Sequence, residues 1–365
     1  MRVPFIFVVL VATAMFLPAT AQEPASREAH GIHAVPAAAG GAALQPMQAP
    51  VLGFVSSSSG AVGTARHMRG MQFGNASAEI RAILGVPGAA TLSGPLALPR
   101  GIERIHLAPG GGFGLVERAT TALAIVQFNG TLALPLQPVA GALAQPAIVA
   151  FSPGGASAAV LSTQESRLQI LAGLPAAPRI AASMNLADLP ANIRTLALAD
   201  DGITLLAGAS DGGVFALRSG KTAQLLHSTR DLGGIVFAPS STSALVFDRD
   251  GGRALMIENI AASPSTRLLA EGLSGINGDA LLAFDGDAVL IGVSGAKQLT
   301  RIDLVTLQTA AVNLPVALGA LQQLQAAHRF LISSRSGQPA WILDTSRETA
   351  AVYFVPRQIR MGLAR

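Results

Sequence analysis

One local pattern recurs along most of this chain and limits what it can fold into. Short apolar bursts alternate with clusters of turn residues, and no burst is long enough for a stable helix. Between Gly233 and Ala270 the pattern reads GGIVFAP, SSTS, ALVFD, RDGG, RALMIEN and, after a polar link, TRLLA. The bursts read as strands and the clusters as tight turns. Gly supplies positive φ in such turns, while Asp and Ser bond back to the backbone. The unit is therefore a meander of four short antiparallel strands.

The same order returns in NIRTLALADDGITLLAGASDGGVFALRSGKTAQLLH from Asn192 and in PAIVAFSPGGASAAVLSTQESRLQILAG from Pro146. It returns again from Gly101, from Asp279 and from Leu321, giving six units between Gly101 and Val355. The first turns recur about every 38 to 48 residues, the spacing of propeller blades. One such sheet cannot bury both of its faces alone. Stacking the sheets radially around an axis solves that problem and protects their edges. The predicted fold is all-β, a β-propeller of four-stranded antiparallel sheets spanning 51–356. Upstream, PVLGFVSS and AEIRAILGVPGAATLSGPL supply two or three further strands. These form a seventh, incomplete blade or complete another blade across the ring closure. Six and seven blades both remain open on sequence, and seven is the expectation taken forward.

Two other architectures use the same strands. An outer-membrane barrel wants strands of about 9–11 residues and aromatic girdles. This chain has one Trp and one Tyr, and its bursts are shorter. A β-sandwich does not explain the blade-length period.

The first residues, MRVPFIFVVLVATAMFLPATAQEP, read as a secretory leader. Arg2 gives a positive start, and Phe5 to Leu17 is an apolar stretch too short to span a bilayer comfortably. Small residues at Ala19 and Ala21 mark a cleavage site, with Gln22 as the first residue of the mature chain. Residues 1–21 are thus expected to be a signal peptide, and the protein to be secreted or periplasmic, without a transmembrane segment once processed. Residues 22–50 are rich in Ala, Pro and Gly and cannot bury enough apolar surface to offset chain entropy, so they read as a disordered linker. Residues 357–365 form a basic tail carrying Arg357, Arg360 and Arg365.

The formal net charge is +4 with only 13% charged residues. The basic residues are scattered rather than gathered into a stripe that tracks phosphates, so nucleic-acid binding is not expected. With no cysteine, disulfides, thiol catalysis and thiolate metal sites are excluded.

The cadence IVAFSPGGASAAVLS, LALADDGITLLAGAS and IVFAPSSTSALVFD resembles that of bacterial exported β-propellers related to WD40 and YVTN repeats. With PVLGFV and LGVPGAATLSGPL ahead of the blades, the chain also resembles secreted propeller proteins of acidobacterial type. The resemblance covers Pro50 to Val355. The Gly-His and Trp-Asp signatures of true WD40 repeats are missing, so their structural triad is not carried over. The fold hosts binding, scaffolding, hydrolysis and oxidation alike, so it implies no mechanism.

No residue set earns a catalytic, cofactor or metal assignment from sequence. FDRDGG at Phe247–Gly252 lacks the spacing of a calcium loop and reads as a hairpin turn. PGGGFG at Pro109–Gly114 leads into a strand rather than the helix a phosphate cradle needs. His106, His227 and His328 fall in a first strand, after a fourth strand and at a hairpin turn, so convergence is not expected. His30 and His33 sit on the linker. Trp341 reads as packing between blades. The expected function is a non-enzymatic, exported scaffold that binds a protein or peptide partner with the loops of its ring. One alternative is a propeller hydrolase or lactonase with a metal in the central channel. Another is a surface or matrix component.

Overall fold

The computed structural model describes residues 49–56, 78–118, 121–188, 190, 192–273, 278–333 and 339–357. Ala19, Ala21 and Gln22, the histidines of the linker, and Arg360 and Arg365 lie outside them. Among the described residues the only helix is a single 3-10 turn at Leu186–Asp188. None is long and apolar enough to cross a membrane. The strands group into seven antiparallel sheets, arranged as a seven-bladed propeller.

Blade 1 spans 51–95, blade 2 102–138, blade 3 148–185, blade 4 193–228, blade 5 232–270, blade 6 280–313 and blade 7 322–355. In blades 3 to 7, four strands follow one another across the sheet in chain order. The unit read from Gly233 is blade 5, and its second strand is Ala244–Asp248, the ALVFD burst itself. That strand pairs in register with the third, Ala244 opposite Ile257 and Asp248 opposite Arg253.

Burial explains why the second strands are apolar along most of their length. Each is covered on both faces by neighbouring blades, and Ser157–Ser162, Ala244–Asp248 and Ala288–Val293 are buried at every residue. A strand buried on both faces reads as a continuous apolar run. Fourth strands form the outer edge. In Arg179–Asn185 the residues alternate between exposed and half-buried, as an edge strand should.

Seven apolar clusters lie between consecutive sheets and close the ring. Phe237, Val246 and Ile257 of blade 5 meet Ala197, Leu206 and Val214 of blade 4. Leu290 and Leu299 of blade 6 meet Phe330 and Leu343 of blade 7. Trp341 packs against this last cluster, between adjacent blades as its sequence suggested. Each buried Leu, Ile, Val or Phe stabilises the ring by about 1.5–3 kcal/mol relative to exposure.

Blades 1 and 2 depart from the repeat. The fourth strand of blade 2 is broken into Leu132–Ala133 and Gln137–Pro138, both paired with Thr121–Asn129. Pro135 lies in the break and has no N–H to donate, which an outer edge tolerates. Among the described residues blade 1 has three strands, Val51–Ser56, Ile80–Leu84 and Thr91–Pro95. The Leu52 carbonyl accepts from Gln325 N–H, in the turn after the first strand of blade 7. A Cβ placed on Gly111, in the matching turn of blade 2, would stand 3.8 Å from the Cα of Gly53, the neighbour of Leu52. Val51–Ser56 therefore starts where the neighbouring inner strands end, and runs against them.

The first and last blades meet here. Leu92 N–H donates to the Pro356 carbonyl at 2.8 Å, and Leu92 forms a parallel bridge with Arg357. Leu52, Ile83 and Leu92 of blade 1 share a core with Leu331, Ile342 and Val355 of blade 7. The upstream strands thus make a seventh blade, sealed by the residues that follow the last one.

Candidate functional site

The first strands of blades 3 to 7 stand side by side around the axis. Where they face it they carry small or aliphatic side chains, among them Ala150, Ala197, Val236 and Leu282. Gly234 belongs to this wall, and a Cβ there would press on Leu282. The wall encloses a cavity of about 120 Å³. Apart from Gln322 and Gln323, every residue that lines it is apolar.

The hairpins that join first to second strands form the mouth of this cavity. Pro109, Pro153 and Pro239 come from three of them and reach the cavity lining. The hairpins are tied to one another. Asp200, in the hairpin of blade 4, accepts from Gly154 N–H of blade 3 at 2.6 Å. Its other oxygen accepts from Ser240 N–H of blade 5 at 2.8 Å. Asp201 instead serves its own turn, accepting from Ile203 N–H, Thr204 N–H and the Thr204 hydroxyl. Burial alone would raise the Asp201 carboxyl, but these bonds and the nearby Arg218 charge outweigh it and hold it below its ordinary value.

A second tie crosses from blade 6 to blade 7. The Nδ1–H of His328 donates to Asp285 Oδ1 at 2.6 Å. Asp285 is almost wholly buried, and Arg301 Nε stands 3.9 Å from its second oxygen. His328 takes a left-handed backbone, φ 61°, while its ring remains 43% exposed.

The other two histidines lie elsewhere. His106 belongs to the first strand of blade 2 and bonds the buried Glu117 at 2.5 Å, with Arg104 at 3.1 Å from the same carboxylate. His227 lies within the fourth strand of blade 4, Gln224–Ser228, rather than after it. Burial and the Arg253 charge lower its pKa, with Asp248 opposing. The buried Asp248 is itself engaged by Arg253 at 2.5 Å. Among the described residues no three His, Asp or Glu side chains gather as a metal site.

FDRDGG is a hairpin turn between Ala244–Asp248 and Arg253–Glu258, and PGGGFG a turn leading into the strand Phe113–Arg118. The Asp200 brace and the His328–Asp285 pair escape a reading of local motifs. Each joins residues about one blade apart, and only the recurrence of turns at equal spacing hinted that such turns would be neighbours.

No protein-family model matches the sequence, and no curated protein does. Solved structures match the fold. A putative 6-phosphogluconolactonase of Bacteroides fragilis is 12% identical with a TM-score of 0.51, covering 83% of this chain and 93% of that one. Hydrazine synthase of Kuenenia stuttgartiensis is 16% identical at TM-score 0.48, over 76% and 89% of the two chains. The WD40 domain of SCAP from fission yeast is 11% identical at 0.42, over 69% of each. At such identities the likeness is one of fold alone.

Proposed function

We propose that this protein is an exported, non-enzymatic propeller that holds a protein or peptide partner at the hairpin-lined mouth of its ring. The observation that carries the reading is the apolar cavity at the axis, rimmed by hairpins that are braced across blades. Rigid strands that present a ring of loops around a recess lined by apolar residues suit recognition. The leader at 1–21 and the resemblance to exported bacterial propellers of acidobacterial type support a secreted or periplasmic location. Cell fractionation with N-terminal sequencing of the processed chain tests that location and cleavage after Ala21.

Binding is tested with an array of random dodecapeptides probed by the purified protein and by its Leu282→Glu variant. Leu282 lines the cavity and is half-buried, so the variant places a charge in the recess. Wild type is expected to bind a subset that the variant, folded to the same melting temperature, loses. Equal patterns for the two proteins would sink the reading.

A second reading, lactone hydrolysis, has one observation in its favour. His328 at the mouth is oriented by a buried carboxylate, the arrangement of a general base with its orienting partner. Turnover of a sugar lactone that disappears in His328→Gln would establish it over the first.

A further inference from the structure

The axial cavity does not end at its rim. A groove between blades 5 and 6 continues from it, because Pro239 and Phe284 line both. The groove's floor is apolar, with Ala238, Met256 and Leu304 beside Phe284. Its sides carry Glu258, Arg267 and Asp287. Arg267 Nε is already paired with Glu258 at 2.9 Å. Asp287 is exposed, and its carboxylate has no hydrogen bond or ion pair among the described residues. The groove therefore holds one negative charge in excess, on an apolar floor.

We propose that cavity and groove together bind an extended segment of a partner protein that carries an apolar side chain and, a few residues away, a lysine or arginine. The apolar side chain fills the recess at the axis. The backbone crosses Pro239 and Phe284. The basic residue then lies along the groove, its aliphatic stem on Met256 and Leu304 and its charged head on Asp287. An acidic or phosphorylated segment would meet the unpaired carboxylate and be repelled. This inference rests on the partner-binding reading above and specifies the chemistry of the partner.

Fluorescence anisotropy with labelled Gly/Ser peptides tests it. The peptides carry Leu alone, Leu with Lys at separations from two to five residues, or Leu with Glu at the same separations. One spacing of the Lys series is expected to bind about twofold to fivefold more tightly than the Leu peptide, as an exposed ion pair should. That gain is expected to vanish in Asp287→Asn, to weaken with added salt, and to pass to the Glu series in Asp287→Lys. If Leu and Leu–Lys peptides bind alike, or the gain survives Asp287→Asn, the groove inference is overturned while the cavity reading stands. If no Leu peptide distinguishes wild type from Leu282→Glu, both fall.

Discussion

Asp200 Oδ1 accepts the backbone N–H of Gly154 at 2.6 Å, across the boundary between blades 4 and 3. With Ser240 on its other oxygen, a single carboxylate braces the hairpins of three consecutive blades. Asp200→Ala is expected to lower stability by about 1–3 kcal/mol, the sum of two modest hydrogen bonds. Asp200→Asn keeps one acceptor oxygen and should lose about half as much. Urea unfolding of both variants checks the order, and faster amide exchange at Gly154 and Ser240 checks the cause.

The His328 link to Asp285 separates two contributions. Its left-handed backbone favours glycine or asparagine over alanine, by about 1–2 kcal/mol. The buried Asp285 Oδ1 takes its hydrogen bond from His328, and losing that donor costs about 1–3 kcal/mol. Stability is therefore expected to fall in the order His328, His328→Asn, His328→Gly, His328→Ala. Thermal melts that place the alanine variant above the glycine variant would contradict the backbone argument.

The turn glycines are not equivalent. Gly212 has φ 89°, and a Cβ there would overlap the Thr229 carbonyl oxygen, which belongs to rigid backbone. Gly220 has φ 72° with nothing within 4 Å of a Cβ. Gly220→Ala should cost only the strain of the left-handed region, about 1–2 kcal/mol. Gly212→Ala should cost several-fold more and reduce soluble yield. The difference between the two denaturation midpoints is the measurement.

Acid should weaken the ring by a nameable route. Burial alone would raise the Asp344 carboxyl, but the Ser346 hydroxyl and N–H, with Arg329, outweigh it and hold it below its ordinary value. Asp201 is lowered in the same way. A carboxylate depressed in the folded state contributes stability that is complete above its unfolded-state value, about 3.9, and is lost as pH falls through the folded one. Stability should therefore decline below about pH 4, less steeply in Asp344→Asn. His227 is also depressed, from 6.5. Its contribution is complete above 6.5 and is lost as pH falls from there towards its folded value, and His227→Gln should remove that step. Urea midpoints followed from neutral pH downward read both limbs.

The strands were legible because their signals are local. Alternation of apolar bursts with Gly, Asp and Ser turns located ALVFD and its neighbours almost to the residue. Two-sided burial wrote itself into the second strands as runs of apolar residues with polar residues chiefly at their ends. The number of blades was harder, because blade 1 shows three strands among the described residues and runs its first strand against the inner strands of its neighbours. No local composition encodes that reversal. The candidate site was the least legible part. Its wall is built from Ala, Val and Gly of separate blades, which in sequence look like any core residue. Asp200 looked like an ordinary turn former, and its second role depends on partners 46 and 40 residues away.

Blade 1 precedes the other six, yet among the described residues one of its faces is covered by blade 7 and its edge by Pro356 and Arg357. A nascent chain that has emerged as far as blade 6 is an unfinished arc with a greasy flank at each end. Neither flank can be hidden until the final strands leave the ribosome. Emergence of blade 7 with Pro356 and Arg357 is thus the step at which the ring becomes watertight, and a chain cut short before blade 7 should yield a product that clumps.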